Sequence, residues 1–528
     1  FTADTPLLDA GVDSFAATEV ASRLSSTFGV KLLTTLVFEH PTVNEVARHV
    51  SELLGLDGTS SASAITLPSK LVIDNPLAAN TTATVGRVSS RWPGSVSSGR
   101  SACALLNAAG DAISSVPGKR WDPQALPGAA EFGAFLYAAQ CFDAVAFSLS
   151  SAETASMDPQ QRLLLEVAYD AMHGSGQDRR ASFDSDCGVW IGIEHLDWRD
   201  LRNWQAAPNE SIYNMTGQLM QFASGRLSFA LNLKGPNMNV NTGCSSGLVA
   251  VHCGSGALQN SECSIALTAA IKLILNPLFV GVGGLFAADG RSKTFDARAD
   301  GYGPSEAVAA ATLNASADKD IALCGIGVMA SGRGSTLTAP NGSAQRALVQ
   351  LVLARGCLSQ AEVCCTQAQG LGSALGDPIE LHAMSSALST SRNASLRVAS
   401  HKANAGHSEA PSGLLGLLAL QVTAWKLRVA ANAQLRSLNP NISLASFSRP
   451  PTLPISCTQE TAHPICGLLA FGISGTVAHA IGRRSSSDSG ERAHACLPRL
   501  SYRRRAFPWQ QALDARELKP LKKRKHGP

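Results

Sequence analysis

For about four hundred residues beyond Ala83, short apolar runs of strand length alternate with stretches of helical periodicity, and that alternation restricts the chain to an α/β core. CGVWIGI is followed by MNVNTGCSS running into GLVAVHCGSGAL, and IALCGIGVMA precedes AQRALVQLVLARG. Hydrophobic residues are 45% of the 528, and charged residues only 16%, against a usual charged share of about 25%. There is material for a large core, and a mostly disordered chain is excluded. The net charge of +4 is gathered largely in YRRRAF and LKKRKHGP near the end, too slight to argue for a nucleic-acid-binding body. Residues 265–288, IALTAAIKLILNPLFVGVGGLFAA, are long enough to cross a bilayer. Lys272, Asn276 and Pro277 interrupt them, so the expectation is buried strands and loops, with no membrane span.

The 13 cysteines are scattered, with no paired CxxC spacing to suggest a metal site or a disulfide framework. A reducing intracellular compartment, cytoplasmic or plastid, is the simpler expectation, with no metal. The chain opens on FTADTPLLDAGVDSF, without an initiating Met, a basic n-region or an apolar h-region, and reads as an internal cut of a longer polypeptide.

Five stretches are expected. Residues 1–56 form a small helical module: Asp13 caps a helix starting near Ser14, with Phe15, Val20, Leu24 and Phe28 near one face, and Pro41 opens a second with Val43, Val46, Ala47, Val50, Leu53 and Leu54 as its stripe. Residues 57–83, rich in Gly, Ser, Thr, Ala, Pro and Asn, suit a linker. The α/β core occupies 84–322 and 323–482. Residues 483–528 are a basic extension, readable as a docking segment, a localisation signal or a solvated tail.

Three residues invite chemistry. Ser14 in GVDSF stands at a loop-to-helix junction, where a plain N-cap serine is the simple alternative. Cys244 in NVNTGCSSGLVAVH stands where a β-branched run ends and a helix begins; the free amides and dipole of a helix N-terminus stabilise a thiolate, making a nucleophile near neutral pH. Cys253, Cys263, Cys324, Cys357, Cys364 and Cys365 read as inert packing residues. Gly243, Ser245 and Gly247 also spell G-x-S-x-G, which would make Ser245 the nucleophile of a serine hydrolase.

The segment LLDAGVDSFAATEVASRLSSTFGVKLLTTLVFEHPTVNEVARHV resembles an acyl carrier domain of a polyketide synthase that lacks its first helix. That resemblance implies a phosphopantetheine arm on Ser14, in DSF at Asp13, Ser14 and Phe15. Seven motifs in order, MDPQQRLLLEVAYDA, NTGCSSG, KTFDARADGYGPSEA, LTAPNGSAQ, LGSALGDPIE, SHKANAGHSEAPSGLLGLL and FGISGTVAHA, resemble the ketosynthase domain of modular polyketide synthases. The resemblance implies a thiolase-type fold of two similar halves in five layers, a homodimer, and an acyl-thioester nucleophile at Cys244. It implies that the backbone of Cys244 and of the Phe471, Gly472 and Ile473 turn cradles the oxyanion, and that His407, supported by Lys402, assists condensation with a malonyl-loaded carrier.

The family's other histidine, in HGTGTxLGDP, is replaced: the stretch reads QGLGSALGDP with Gln369 in its place. An amide donates a hydrogen bond but cannot accept and return a proton. Asn241 and Gly243 replace the family's Asp and Ala, Val477 replaces an Asn, and the first core strand near VGRVSSRWPG reads as eroded. The main expectation is an enzyme of the 3-oxoacyl-carrier synthase type that takes an acyl chain onto Cys244 and condenses it. The alternative is a non-elongating domain that only passes the chain on. Acyl- and malonyl-loaded carriers are the implied partners, with a separate acyltransferase to load extender units.

Overall fold

The structure is a computed structural model and describes residues 2–8, 10–12, 14–55, 83–118, 120–124, 130–177, 184–194, 197–204, 212–276, 285–315, 321–388, 395–447, 449–459, 464–485 and 500–507. The linker 57–82, Asp13 with the side chains of Ser14 and Phe15, Pro277 and the basic end 508–528 lie outside the described residues.

Ten strands form the main sheet: β1 (Thr84–Arg91), β2 (Gly188–Ile193), β3 (Asn237–Val240), β4 (Ile265–Lys272), β5 (Ala307–Asn314), β6 (Ile321–Ala330), β7 (Val363–Gln367), β8 (Arg397–Ala399), β9 (Ile465–Phe471) and β10 (Thr476–Arg484). Their spatial order is β8-β7-β9-β10-β6-β1-β5-β4-β2-β3. The first five strands run β1-β5-β4-β2-β3, with the two pairs β1/β5 and β5/β4 antiparallel and β4/β2 and β2/β3 parallel. The second five repeat this order and these directions, β6-β10-β9-β7-β8. Among the described residues, the two halves of the sheet are joined where Thr84 and Val85 of β1 pair Ala322 and Ile321 of β6. An internal repeat that no short sequence period announces is thus explicit in the strand pairing.

Helices complete five layers. The helices used below are α1 (Ser14–Phe28), α2 (Leu36–Glu39), α3 (Val43–Leu54), α4 (Pro159–Gly174), α5 (Ser246–Gln259), α6 (Gly342–Arg355), α7 (Gly376–Leu388), α8 (Lys402–Ala405) and α9 (Ser412–Lys426). α5 and α9 touch each other and strands of both halves, so they form the middle layer. Their sequences are apolar almost all round, and every residue of α9 from Ser412 to Ala424 is buried, as a helix packed between the two halves of the sheet requires. α4 covers the outer face of the first half, and α6 with α7 that of the second.

Several expectations are corrected. β1 is an eight-residue strand with a register irregularity between Val85 and Val88, not an eroded one. α3 begins at Val43 rather than Pro41, because Thr42 and Glu45 make a reciprocal capping box. Val43 and Leu53 are half exposed, and Val46 and Val50 carry the buried face; Phe28 is exposed too. The run from residue 265 divides as foreseen, its first part becoming buried β4, and no helix among the described residues is long and apolar enough to cross a membrane. Three of the scattered cysteines converge: Cys365 of β7 is disulfide-bonded to Cys466 of β9, with Cys364 beside them. Register in a parallel sheet brought them together, which spacing along the chain does not reveal.

The N-terminal helices pack on the core rather than standing free. Ala21, Leu36, Val46 and Val50 form one cluster, and Ala17, Val37 and Phe38 bury against Ile379 of α7. At the other end, residues 502–507 dock on the first half. Tyr502 donates to Asp170 Oδ1 at 2.9 Å, Arg504 Nε to Glu166 Oε2 at 2.8 Å, and Arg505 and Ala506 pair with Phe142 and Cys141. This part of the extension is not a solvated tail.

Candidate active site

The sheet delivers its functional residues where strands end. β3 runs into Asn241, Thr242, Gly243 and Cys244, and α5 starts two residues later. The chain must turn sharply, and Gly243 does so with φ +60, a region L side chains avoid. Asn241 Oδ1 accepts from the Gly243 amide at 3.2 Å, so the two departures from the family motif act as one turn. Gly247 donates to Ala410 O at 3.0 Å and Ser412 Oγ to Cys244 O at 3.2 Å, tying this loop to the segment before α9. Ser245 is fully buried, its hydroxyl donating to Thr242 O at 2.9 Å and meeting Thr242 Oγ1. It belongs to the turn, and among the described residues no histidine bonds it, so the hydrolase reading loses its nucleophile.

Cys244 does not carry the lowered pKa expected of a helix N-terminus. Burial comes first, then the carboxylates of Glu409 and Glu194, and together they push the thiol well above its usual range against the opposing pull of Lys272 and Lys402. Glu409 is held in the left-handed region at φ +54, pairs with Lys272 at 2.6 Å and accepts from Tyr302 OH at 3.1 Å. Tyr302 lies edge-on to His407, ring centroids 5.0 Å apart. Glu409, Glu194, Lys272 and Tyr302 were passed over in sequence. Glu409 and Tyr302 lay inside motifs quoted for other residues, and Lys272 read only as an interruption of an apolar run.

His407 is completely buried. Its backbone is fixed by the bond from His407 N to Gly303 O at 2.7 Å, while neither ring nitrogen has a hydrogen-bond partner among the described residues. Burial, then the charge of Lys402, holds it well below the ordinary histidine range, so it is neutral. Lys402 opens the short α8; burial lowers its pKa, opposed by Glu380, Cys244 and Asp377. Glu380 in turn is raised by burial, and it accepts the backbone amides of Gln369 at 2.6 Å and Gly370 at 2.8 Å. The loop carrying Gln369 is therefore clamped by α7.

Gln369 is buried at the end of β7. Its Nε2 donates to Phe471 O at 3.2 Å, and its Oε1 has no partner among the described residues. Phe471 ends β9, and Gly472 packs so closely on the cysteine loop that a Cβ there would lie 2.1 Å from Thr242 O. In the turn expected to cradle the oxyanion, Gly472 N donates to Thr476 O at 2.7 Å to close the β9 to β10 turn, and the amide of Ile473 has no hydrogen-bond partner among the described residues. Cys244 with Lys402, and the cysteine loop with the Gly472 turn, are brought together. Ser14 is not shown at this site: it is the first residue of α1, on the segment that packs against α7.

Comparisons with known proteins show the family and the fold. Residues 84–319 match the beta-ketoacyl synthase N-terminal domain family, residues 321–433 the beta-ketoacyl synthase C-terminal domain family, and residues 1–50 the phosphopantetheine attachment site family. The chain is 33% identical over 524 residues to the polyketide synthase GfsA of Streptomyces halstedii, covering 93% of this chain and 7% of that protein. It is 32% identical over 508 residues to an erythronolide synthase of Saccharopolyspora erythraea, covering 90% and 16%. It thus spans a small part of these curated relatives. A ketosynthase from module 6 of the bacillaene synthase of Bacillus subtilis 168 superposes with a TM-score of 0.70 at 27% identity, over 76% of this chain and 72% of that one. An oxazolomycin ketosynthase domain from Streptomyces albus, at 24% identity and TM-score 0.71, shares the fold.

Proposed function

This chain belongs to the beta-ketoacyl synthase family, with a phosphopantetheine attachment region ahead of the synthase, and from that premise we propose that it takes an acyl chain from a carrier domain onto Cys244 and passes it on without extension. The observation that carries the second half is Gln369. Its amide nitrogen is engaged by Phe471 O and its remaining buried polar atom is an oxygen, so it supplies neither a proton nor a positive charge to a decarboxylating malonyl group.

The acyl transfer itself is supported. Cys244 Sγ attacks the carbonyl of an acyl thioester presented by a carrier, the sulfur–carbonyl bond forms, and the carrier thiol leaves with a proton. The Ile473 amide and the Lys402 and Lys272 charges favour the oxyanion that develops. His407, neutral and with both ring nitrogens without a partner among the described residues, can donate to a thioester carbonyl from one and accept a proton at the other. A Cys244 thiol kept protonated by burial and by Glu409 and Glu194 is protected from stray electrophiles until a base removes its proton.

A phosphopantetheine group on this chain supplies a flexible thiol arm that holds an acyl chain as a thioester. Ser14 is the residue assigned to hold it: it opens α1 at a loop-to-helix junction, at the end of the helical packing rather than within the cluster of Ala21, Leu36, Val46 and Val50. Acyl-loaded carriers are the partners, and a homodimer and a separate acyltransferase follow from the family reading.

Condensation is the second reading, because the rest of the site is present. The test is Gln369→His: the transfer reading predicts a gain in β-keto product of about a hundredfold, the scale of one well-placed donor, while no gain counts against the role given to Gln369. A fluorophosphonate probe should leave Ser245 unlabelled, and Cys244→Ala should abolish acylation.

A further inference from the structure

Outside the active site, Cys364, Cys365 and Cys466 bring three sulfurs within 4.8 Å of one another. Cys365 and Cys466 are direct register partners on the parallel strands β7 and β9, with Cα atoms 4.9 Å apart, inside the range a disulfide spans. Both are buried, at 4% and 2% exposure. Cys364 is half-buried, 4.0 Å from Cys365 Sγ, and its thiol donates to Ile465 O at 3.3 Å. We propose that these three cysteines form a thiol–disulfide exchange site, in which Cys364 is the entry thiol and Cys365–Cys466 the resting disulfide.

A low-molecular-weight disulfide such as oxidised glutathione cannot reach two sulfurs buried between β7 and β9, but it can reach Cys364. The Cys364 thiolate attacks it, forming a mixed disulfide and releasing one glutathione thiolate. Cys466 then attacks the Cys364 sulfur, releasing the second glutathione, and Cys365 attacks Cys466 to give the cross-strand bond and return Cys364 as a thiol. Two protein thiols are oxidised and one glutathione disulfide is reduced to two thiols, so electrons and protons balance. Only three sulfur donors converge, and no fourth His, Cys, Asp or Glu joins them among the described residues, one short of the four ligands a structural zinc site takes.

The position gives the bond a consequence. β7 leads directly into Gln369 and β9 ends at Phe471, and these two ends meet through Gln369 Nε2 and Phe471 O. The disulfide ties the same two strands upstream of that contact.

The test uses the full chain equilibrated in glutathione buffers of rising oxidised fraction, quenched with acid and N-ethylmaleimide and mapped by peptide mass spectrometry. The proposal expects a peptide linked through Cys365 and Cys466, lost on reduction, and a transient glutathione adduct on Cys364. Cys364→Ser should lose that adduct and form the link more slowly. Free, separately alkylated Cys365 and Cys466 in the most oxidising buffer would overturn it. So would native mass spectrometry with added zinc chloride showing one ion per chain that protects all three thiols. An unchanged rate of link formation in Cys364→Ser would overturn the entry role.

Discussion

Glu409→Gln is the substitution with the most informative consequence. Glu409 pairs with Lys272 at 2.6 Å, the side chains 7% and 4% exposed, and also accepts from Tyr302. Gln keeps a carbonyl oxygen for one of these donors, but the negative charge goes. That change favours the Cys244 thiolate, because Glu409 is the foremost charge raising that thiol. The pH at which Cys244 becomes reactive to iodoacetamide should therefore fall. Breaking a buried ion pair should cost about 3–5 kcal/mol of stability, read as a lower urea midpoint. The assay is the pH profile of Cys244 alkylation by peptide mass spectrometry, with circular dichroism to show that the variant is folded. A profile unchanged or moved upward in a folded variant would refute the electrostatic reading of the site.

Other consequences are simpler to measure. Gly243→Ala places a Cβ at φ +60 with only ordinary contacts, the nearest atom 3.7 Å away, so it should cost about 1–2 kcal/mol of strain in urea unfolding; a neutral result would mean the turn relaxes. Asp158, raised by burial from 3.8 to about 7, N-caps α4 through Gln160 N. Because the folded form holds the proton more tightly, stability falls as pH rises from about 4 to about 7. At about 1.4 kcal/mol per pH unit this is at most about 4 kcal/mol. Asp158→Asn, which keeps the acceptor, should flatten that decline between urea midpoints at pH 4.5 and pH 8, and an unaltered slope would refute it. Arg504→Ala removes the bond to buried Glu166 and should expose residues 500–507 to trypsin sooner; equal cleavage rates would show that Tyr502 and the backbone pairing hold the segment alone.

How much of this was legible in the sequence differs by feature. The α/β alternation was visible because apolar periodicity is local, and Cys244, Lys402, His407 and Gln369 stood out because each sits inside a contiguous motif. The repeated strand order, the Cys365–Cys466 register pair and the Lys272–Glu409 pair, 137 residues apart, depend on which strand ends lie side by side, and no local pattern encodes that. The direction of the Cys244 pKa was misjudged for the same reason. A helix N-terminus is a local cue favouring the thiolate, whereas burial and two carboxylates from distant segments oppose it.

In the proposed mechanism Cys244 accepts an acyl chain and Gln369 prevents its extension. Intact-protein mass spectrometry tests it directly: the chain is loaded with a short acyl thioester, malonyl-loaded carrier is added, and the mass on the acceptor carrier is read. The account predicts an acyl adduct on Cys244 and an unextended acyl group on the acceptor, with malonyl groups elsewhere intact. A β-keto acyl mass formed with loss of carbon dioxide would contradict it and make this a working condensing enzyme.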